Sequence, residues 1–172
     1  MNYSECIENA RTRIGNYCKA CPECNGRACK NQMPGPGAKG IGDTAIRNYD
    51  KWKEIRVQMD TIVENKPVDT SLELFGKKFL YPFFAGPVGA VGLHYGDCLD
   101  DVRYNDILVS ACAKYGIAAF TGDGLDSNVM VAATKAIGKT DGIGIPTVKP
   151  WNIDTVAEKM KMVQESKAFA VA

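Results

Sequence analysis

Apolar residues recur along this chain with two rhythms, and the change between them falls at Pro82. Ahead of it, Ile7, Ala10 and Ile14 share one face of a helix that Ser4 would cap and Gly15 would end. Asp43 or Thr44 caps a second helix, predicted to turn Ile46, Tyr49, Trp52 and Ile55 toward a core. Between them, Met33-Pro34-Gly35-Pro36-Gly37-Ala38-Lys39-Gly40-Ile41-Gly42 holds too much proline and glycine for regular structure and reads as a loop. Ser71-Leu72-Glu73-Leu74-Phe75 alternates apolar and polar, Gly76-Lys77 turns, and Phe79-Leu80-Tyr81 returns, which predicts a β-hairpin.

Beyond Pro82 short apolar runs alternate with amphipathic stretches. Strands are predicted near 83–87, 117–121, 142–147 and 169–172. Helices are predicted over 105–115, with Ile107, Leu108, Ala111, Cys112 and Tyr115 inward, over 129–137, and from Ile153 through Val156, Ala157, Met160 and Val163. Strands apolar throughout, joined by helices, mean parallel β/α units. An open doubly wound sheet and a closed barrel both answer that description. No Gly-x-Gly-x-x-Gly turn follows the first strand, which counts against a dinucleotide fold. A last strand at 169–172 would leave an unprotected parallel edge, and a closed barrel takes about 250 residues. The expectation is an α/β chain: a partial (β/α)8 TIM barrel, about its first four β/α units, truncated before the second half. Residues 1–36 form an N-terminal helical and Cys-rich extension; residues 37–172 hold the hairpin and the barrel half.

Composition narrows the partners. With 21 basic and 20 acidic residues the net charge is +1, so nothing electrostatic favours nucleic acid or an anionic membrane. The N-terminus carries Glu5 where a signal peptide needs basic residues and then an apolar run, and no stretch approaches the roughly 20 apolar residues of a membrane span. A cytoplasmic protein is expected.

The chain has seven cysteines, an odd number, and structural disulfides are not expected without an export signal. Cys18, Cys21, Cys24 and Cys29 crowd together around Pro22 and Gly26. Thiolates at two-residue separations can converge on one centre, either an iron–sulfur cluster or zinc. The four-residue gap before Cys29 departs from bacterial ferredoxin spacing. Reactive thiols and ordinary reduced cysteines are the other two readings. Cys6, Cys98 and Cys112 read as small hydrophobes. Lys77, Lys78, Glu158, Lys159 and Lys161 read as solvated surface.

Three segments carry a resemblance: Asn48-Tyr49-Asp50-Lys51-Trp52-Lys53-Glu54-Ile55, then Asp69-Thr70-Ser71-Leu72-Glu73-Leu74-Phe75-Gly76-Lys77, then Tyr81-Pro82-Phe83-Phe84-Ala85-Gly86-Pro87-Val88-Gly89. In this order and spacing they resemble the entry to the FMN-dependent 2-hydroxy-acid oxidases and dehydrogenases, the glycolate and lactate oxidase group. The resemblance implies FMN in the complete form, a small 2-hydroxy acid as substrate, and a homo-oligomer. It implies flavin contacts at Pro87, Val88, Gly89, Thr121 and Gly144. Gly144 and Pro146 stand where that family carries Gln and Tyr, so the branch is divergent. The family's proton-abstracting His, carboxylate-binding Arg residues and phosphate loop come from later strands, so no catalytic residue is expected in this chain, and the chain alone is expected to be inactive. His94, the one histidine, reads as a loop residue. A glutamate-synthase-like or type 2 isopentenyl-diphosphate-isomerase-like FMN barrel, and a non-catalytic metal-binding fragment, are the competing functions.

Overall fold

The computed structural model describes residues 2–30 and 43–172. The loop expected over 33–42 and the expected domain boundary at 36/37 lie outside those residues. The chain divides into two compact units, one of residues 1–67 and 92–98 and one of residues 68–91 and 99–172. None of the helices among the described residues is long and apolar enough to cross a membrane.

In the first unit, α1 (Tyr3–Arg11) starts from Asn2, not from Ser4. The Asn2 side chain accepts the Glu5 amide at 3.0 Å, and the Glu5 carboxylate accepts the Asn2 amide at 2.9 Å. This reciprocal box outcompetes a lone serine inside the first turn. Helix α2 (Thr44–Trp52) follows Asp43, whose side chain makes no capping bond. Neither helix buries a residue; Trp52 is 74% exposed and Ile55 62%, so the expected core face of α2 stays uncovered among the described residues. Polar ties do the holding. The Tyr3 hydroxyl donates to the Pro22 carbonyl, the Tyr49 hydroxyl donates to Glu23, and Arg27 meets Asp50 at 3.3 Å.

In the second unit, β1 (Leu72–Leu74) pairs antiparallel with β2 (Lys77–Phe79), Leu72 opposite Phe79. The turn places Phe75 and Gly76 at φ 49° and 75°, the left-handed geometry that matches strand twist in a two-residue hairpin. Phe79 is buried, with its ring 4.8 Å from Phe84 and 5.4 Å from Phe169. A short α3 (Val91–Tyr95) begins in this unit and ends in the first.

Three longer helices follow: α4 (Asp101–Lys114), α5 (Ser127–Lys139) and α6 (Ile153–Glu165). Each has an N-cap carboxylate or amide: Asp100 accepts from the Arg103 amide at 2.7 Å, Asp126 from Asn128 at 2.9 Å, and Asn152 from Thr155 at 2.9 Å. Helix α4 packs on α5, and α5 on α6. Their core joins Val109, Cys112, Ala119, Ala136 and Ile137, with Ala85, Leu108, Ile117 and Ala168 against it. The inward stripe of α4 is Asn105, Val109 and Cys112; Ile107 and Tyr115, expected inward, are exposed. On α6, Ile153 and Met160 are exposed, and Lys159 is buried beside Val163.

The four expected central strands are reduced to bridges. Ala85 pairs parallel with Ala119, and Phe120 parallel with Ile145. Ala172 donates to the Pro146 carbonyl at 3.0 Å and accepts from Val148 at 2.8 Å, the slanted pattern of parallel neighbours. Pro87 and Pro146 lack the amide a ladder needs, and Gly86, Gly122 and Gly144 weaken extended backbone, so pairing does not run on into long strands.

Candidate functional site

The ends of the bridged segments at Pro87–Gly89, Thr121–Asp123 and Thr147–Lys149 are where the second unit concentrates its unusual chemistry. Asp123 ends the second segment with its side chain 1% exposed. Its Oδ1 accepts from the Lys159 ammonium of α6; its Oδ2 accepts the Lys149 amide at 2.8 Å and the Trp151 indole N–H at 2.7 Å. Lys159 also lies 4.8 Å from the centre of the Trp151 ring, a cation–π distance. Burial pushes the Asp123 carboxyl up, but hydrogen bonds from Lys159, the Lys149 amide and the Trp151 indole outweigh it and hold the group below the ordinary carboxylate range. Lys159 is thus a buried, paired cation and not the solvated side chain expected of it. Helical periodicity alone cannot reveal a partner 36 residues away.

The backbone around Asp123 is close-packed. The α-carbon of Gly122 lies against the Val88 carbonyl, leaving no room for a side chain. At Gly89 an added Cβ would meet only the Asp123 carbonyl, at 3.5 Å. The next residue, Ala90, holds φ 53°, a left-handed conformation that L-residues adopt at a cost. Pro87 is exposed, and Val88 and Gly89 are half-buried.

Two hydroxyls at this end are buried without a hydrogen-bond partner, Thr121 Oγ1 and Thr147 Oγ1. Such atoms are rare in folded proteins. Thr121 shares strand parity with Ala119, which lies in the helix-packed core. At Gly144 an added Cβ would meet Ile137 of α5 at 2.5 Å, so the direction of a side chain there is toward the helix layer. The opposite face of the third segment is therefore carried by Ile145 and Thr147. Gly144 and Pro146, which the family resemblance set where Gln and Tyr usually stand, have the parity that faces the helix layer.

The four crowded cysteines belong to the first unit. Cys18, Cys21 and Cys29 are half-buried, Cys24 is exposed, and all are free thiols. Among the described residues, no group of three or more His, Cys, Asp or Glu side chains is placed to hold a metal ion. Cys29 instead faces the Gly26 carbonyl at 3.9 Å. Cys6 and Cys98 are exposed, whereas Cys112 is buried in the helix core, where burial raises its thiol pKa. His94 lies in α3, edge-on to Tyr95 at 5.9 Å.

A profile of the FMN-dependent dehydrogenases matches residues 35–159, most of the chain. The chain belongs to the FMN-dependent dehydrogenase family. No curated protein and no solved structure matches it. The matched stretch takes in the hairpin, all three bridged segment ends from Pro87 to Lys149, and the Asp123–Lys159 pair. Membership makes this an FMN-dependent oxidoreductase family chain, with FMN as the cofactor.

Proposed function

We propose that this chain forms one wall of an FMN site in an enzyme oxidising a 2-hydroxy acid, and that its β/α units are the opening part of a (β/α)8 barrel. The observation carrying the reading is the buried, unpartnered hydroxyl of Thr147 at a segment end, together with the open backbone at Gly89. Active sites of β/α barrels lie at the C-terminal ends of the strands. The parallel order of the bridges, from the first segment to the second to the third, supports that architecture. Pro87, Val88 and Gly89 would lie against the flat ring, with little side chain to hold it away. Thr147 Oγ1 would donate to or accept from the flavin or the substrate, whereas Thr121 Oγ1 has the helix-facing parity. FMN, when bound, supplies the acceptor for the hydride.

Oxidation of a 2-hydroxy acid also needs a base for the hydroxyl proton and cations for the carboxylate. Residues 68–91 and 99–172 contain no histidine, and Lys159 is already committed to Asp123. The wall described here therefore binds and orients; the proton-accepting base is not part of it. The test uses the full gene product loaded with FMN, without oxygen. Glycolate or lactate is expected to bleach the visible flavin band and to yield the matching 2-oxo acid. FMN bound but left oxidised by every 2-hydroxy acid tried would overturn the substrate class; no FMN binding would overturn the site.

A further inference from the structure

Asp123 occupies a junction that the flavin reading leaves unexplained. Its backbone carbonyl faces Gly89 at the end of the first segment, and the adjacent Gly122 lies against the Val88 carbonyl. Its carboxylate reaches the other way, to the Lys149 amide and the Trp151 indole in the loop after the third segment. One residue therefore touches both flanking loops. Lys159 neutralises the carboxylate from α6, itself only 6% exposed. All the strong donors available are used: one ammonium, one amide and one indole for the two carboxylate oxygens. A fully satisfied buried polar group of this kind fixes a unique geometry, because every alternative leaves a charge or a donor unpaired.

We infer that Asp123 is a positioning residue for the flavin site: it clamps the 148–151 loop to the end of the second segment, and so sets the spacing between the bare backbone at Gly89 and the hydroxyl of Thr147. This rests on the proposed flavin reading. The ion pair is not needed merely to fill space, since an apolar pair of similar volume would pack as well. What an apolar pair could not do is hold the Lys149 amide and the Trp151 indole in place. Asp123 touches neither the ring nor the substrate in this account; it acts through the loop.

The experiment compares the wild-type gene product with Asp123→Asn and Lys159→Arg. Amide exchange at Lys149 is read first, without FMN, and FMN affinity is then read from quenching of flavin fluorescence. Asp123→Asn keeps the size of the side chain but turns one acceptor into a donor. It is expected to speed exchange at Lys149 and to weaken FMN binding by about tenfold or more. Lys159→Arg keeps the charge and is expected to retain most of the protection and the affinity, as a bulk loss of folding would not. Faster exchange at Lys149 with unchanged FMN affinity would overturn the positioning role while leaving the flavin site standing. Unchanged exchange would overturn the clamp itself. A wild type that binds no FMN would sink the flavin reading and this role with it, whereas the exchange result would still report on the clamp. Should Asp123→Asn fail to fold, Trp151→Phe removes one of the three donors, keeps the ion pair, and is read in the same way.

Discussion

The two units of this protein are built on opposite terms. Residues 68–91 and 99–172 bury Phe79, Val109, Met130, Ala133 and Ile137 almost completely. Residues 2–30, 43–67 and 92–98 bury only Ala20 among those described, and leave Trp52, Val57, Met59 and Ile62 in water. Both units carry good helix caps and amphipathic patterns. Only one has a buried apolar core among its described residues to receive them. An amphipathic face is thus a necessary signal and an insufficient one: α2 has the pattern and no partner for it among the described residues of its unit.

That contrast can be broken from the second unit. Lys159→Met would leave Asp123 charged, buried and without its cation, and should cost about 3–5 kcal/mol, read as a lowered urea midpoint. A loss below about 1 kcal/mol would mean that the pair is hydrated. Ile137→Ala, in the middle of the helix core, should cost about 3 kcal/mol. Gly144→Ala pushes a methyl into Ile137 and should cost about 1–3 kcal/mol. If that substitution is neutral, the parity assigned to the third segment is wrong.

The Asp123 pair also gives a pH signature. Because the folded carboxyl is held below its unfolded value, its contribution is fully present above the unfolded value and is lost as pH falls through the folded one. Asp123→Asn should therefore flatten that part of the acid-unfolding curve. A mutant that falls in parallel with wild type would contradict the assignment.

The first unit should respond least. Arg27→Ala breaks an exposed pair with Asp50 and should change stability by under about 0.5 kcal/mol.

Much of this could be read along the chain, for reasons that separate cleanly. The hairpin was legible because alternation is local, although its turn is Phe75-Gly76, and Lys77, expected in the turn, opens β2. Helices α4, α5 and α6 were legible because their periods are local too, although α4 and α5 begin at Asp101 and Ser127, ahead of the expected Asn105 and Val129. What escaped depends on the third dimension. Lys159 looks like surface until Asp123 folds under it. The unpartnered hydroxyl of Thr147 was not singled out, because an all-apolar strand does not display which of its two faces is which. Ser4 lost to Asn2 because a cap is decided by the box it can close with Glu5. The family itself was visible through runs of residues such as Tyr81–Gly89, and residues 35–159 carry that family's pattern.

The Phe79 cluster has a consequence for the order of assembly during synthesis. Helices α4 and α5 are neighbours along the chain, so they can meet once residue 139 has left the ribosome. The ring of Phe79 waits longer, because one of its two aromatic partners is Phe169. Ninety residues of nascent chain must emerge before that contact can exist (169 − 79 = 90). At about 5–20 residues per second this leaves the hairpin's apolar side incompletely covered for several seconds. Through that interval the hairpin is a natural client for any chaperone stationed at the exit tunnel.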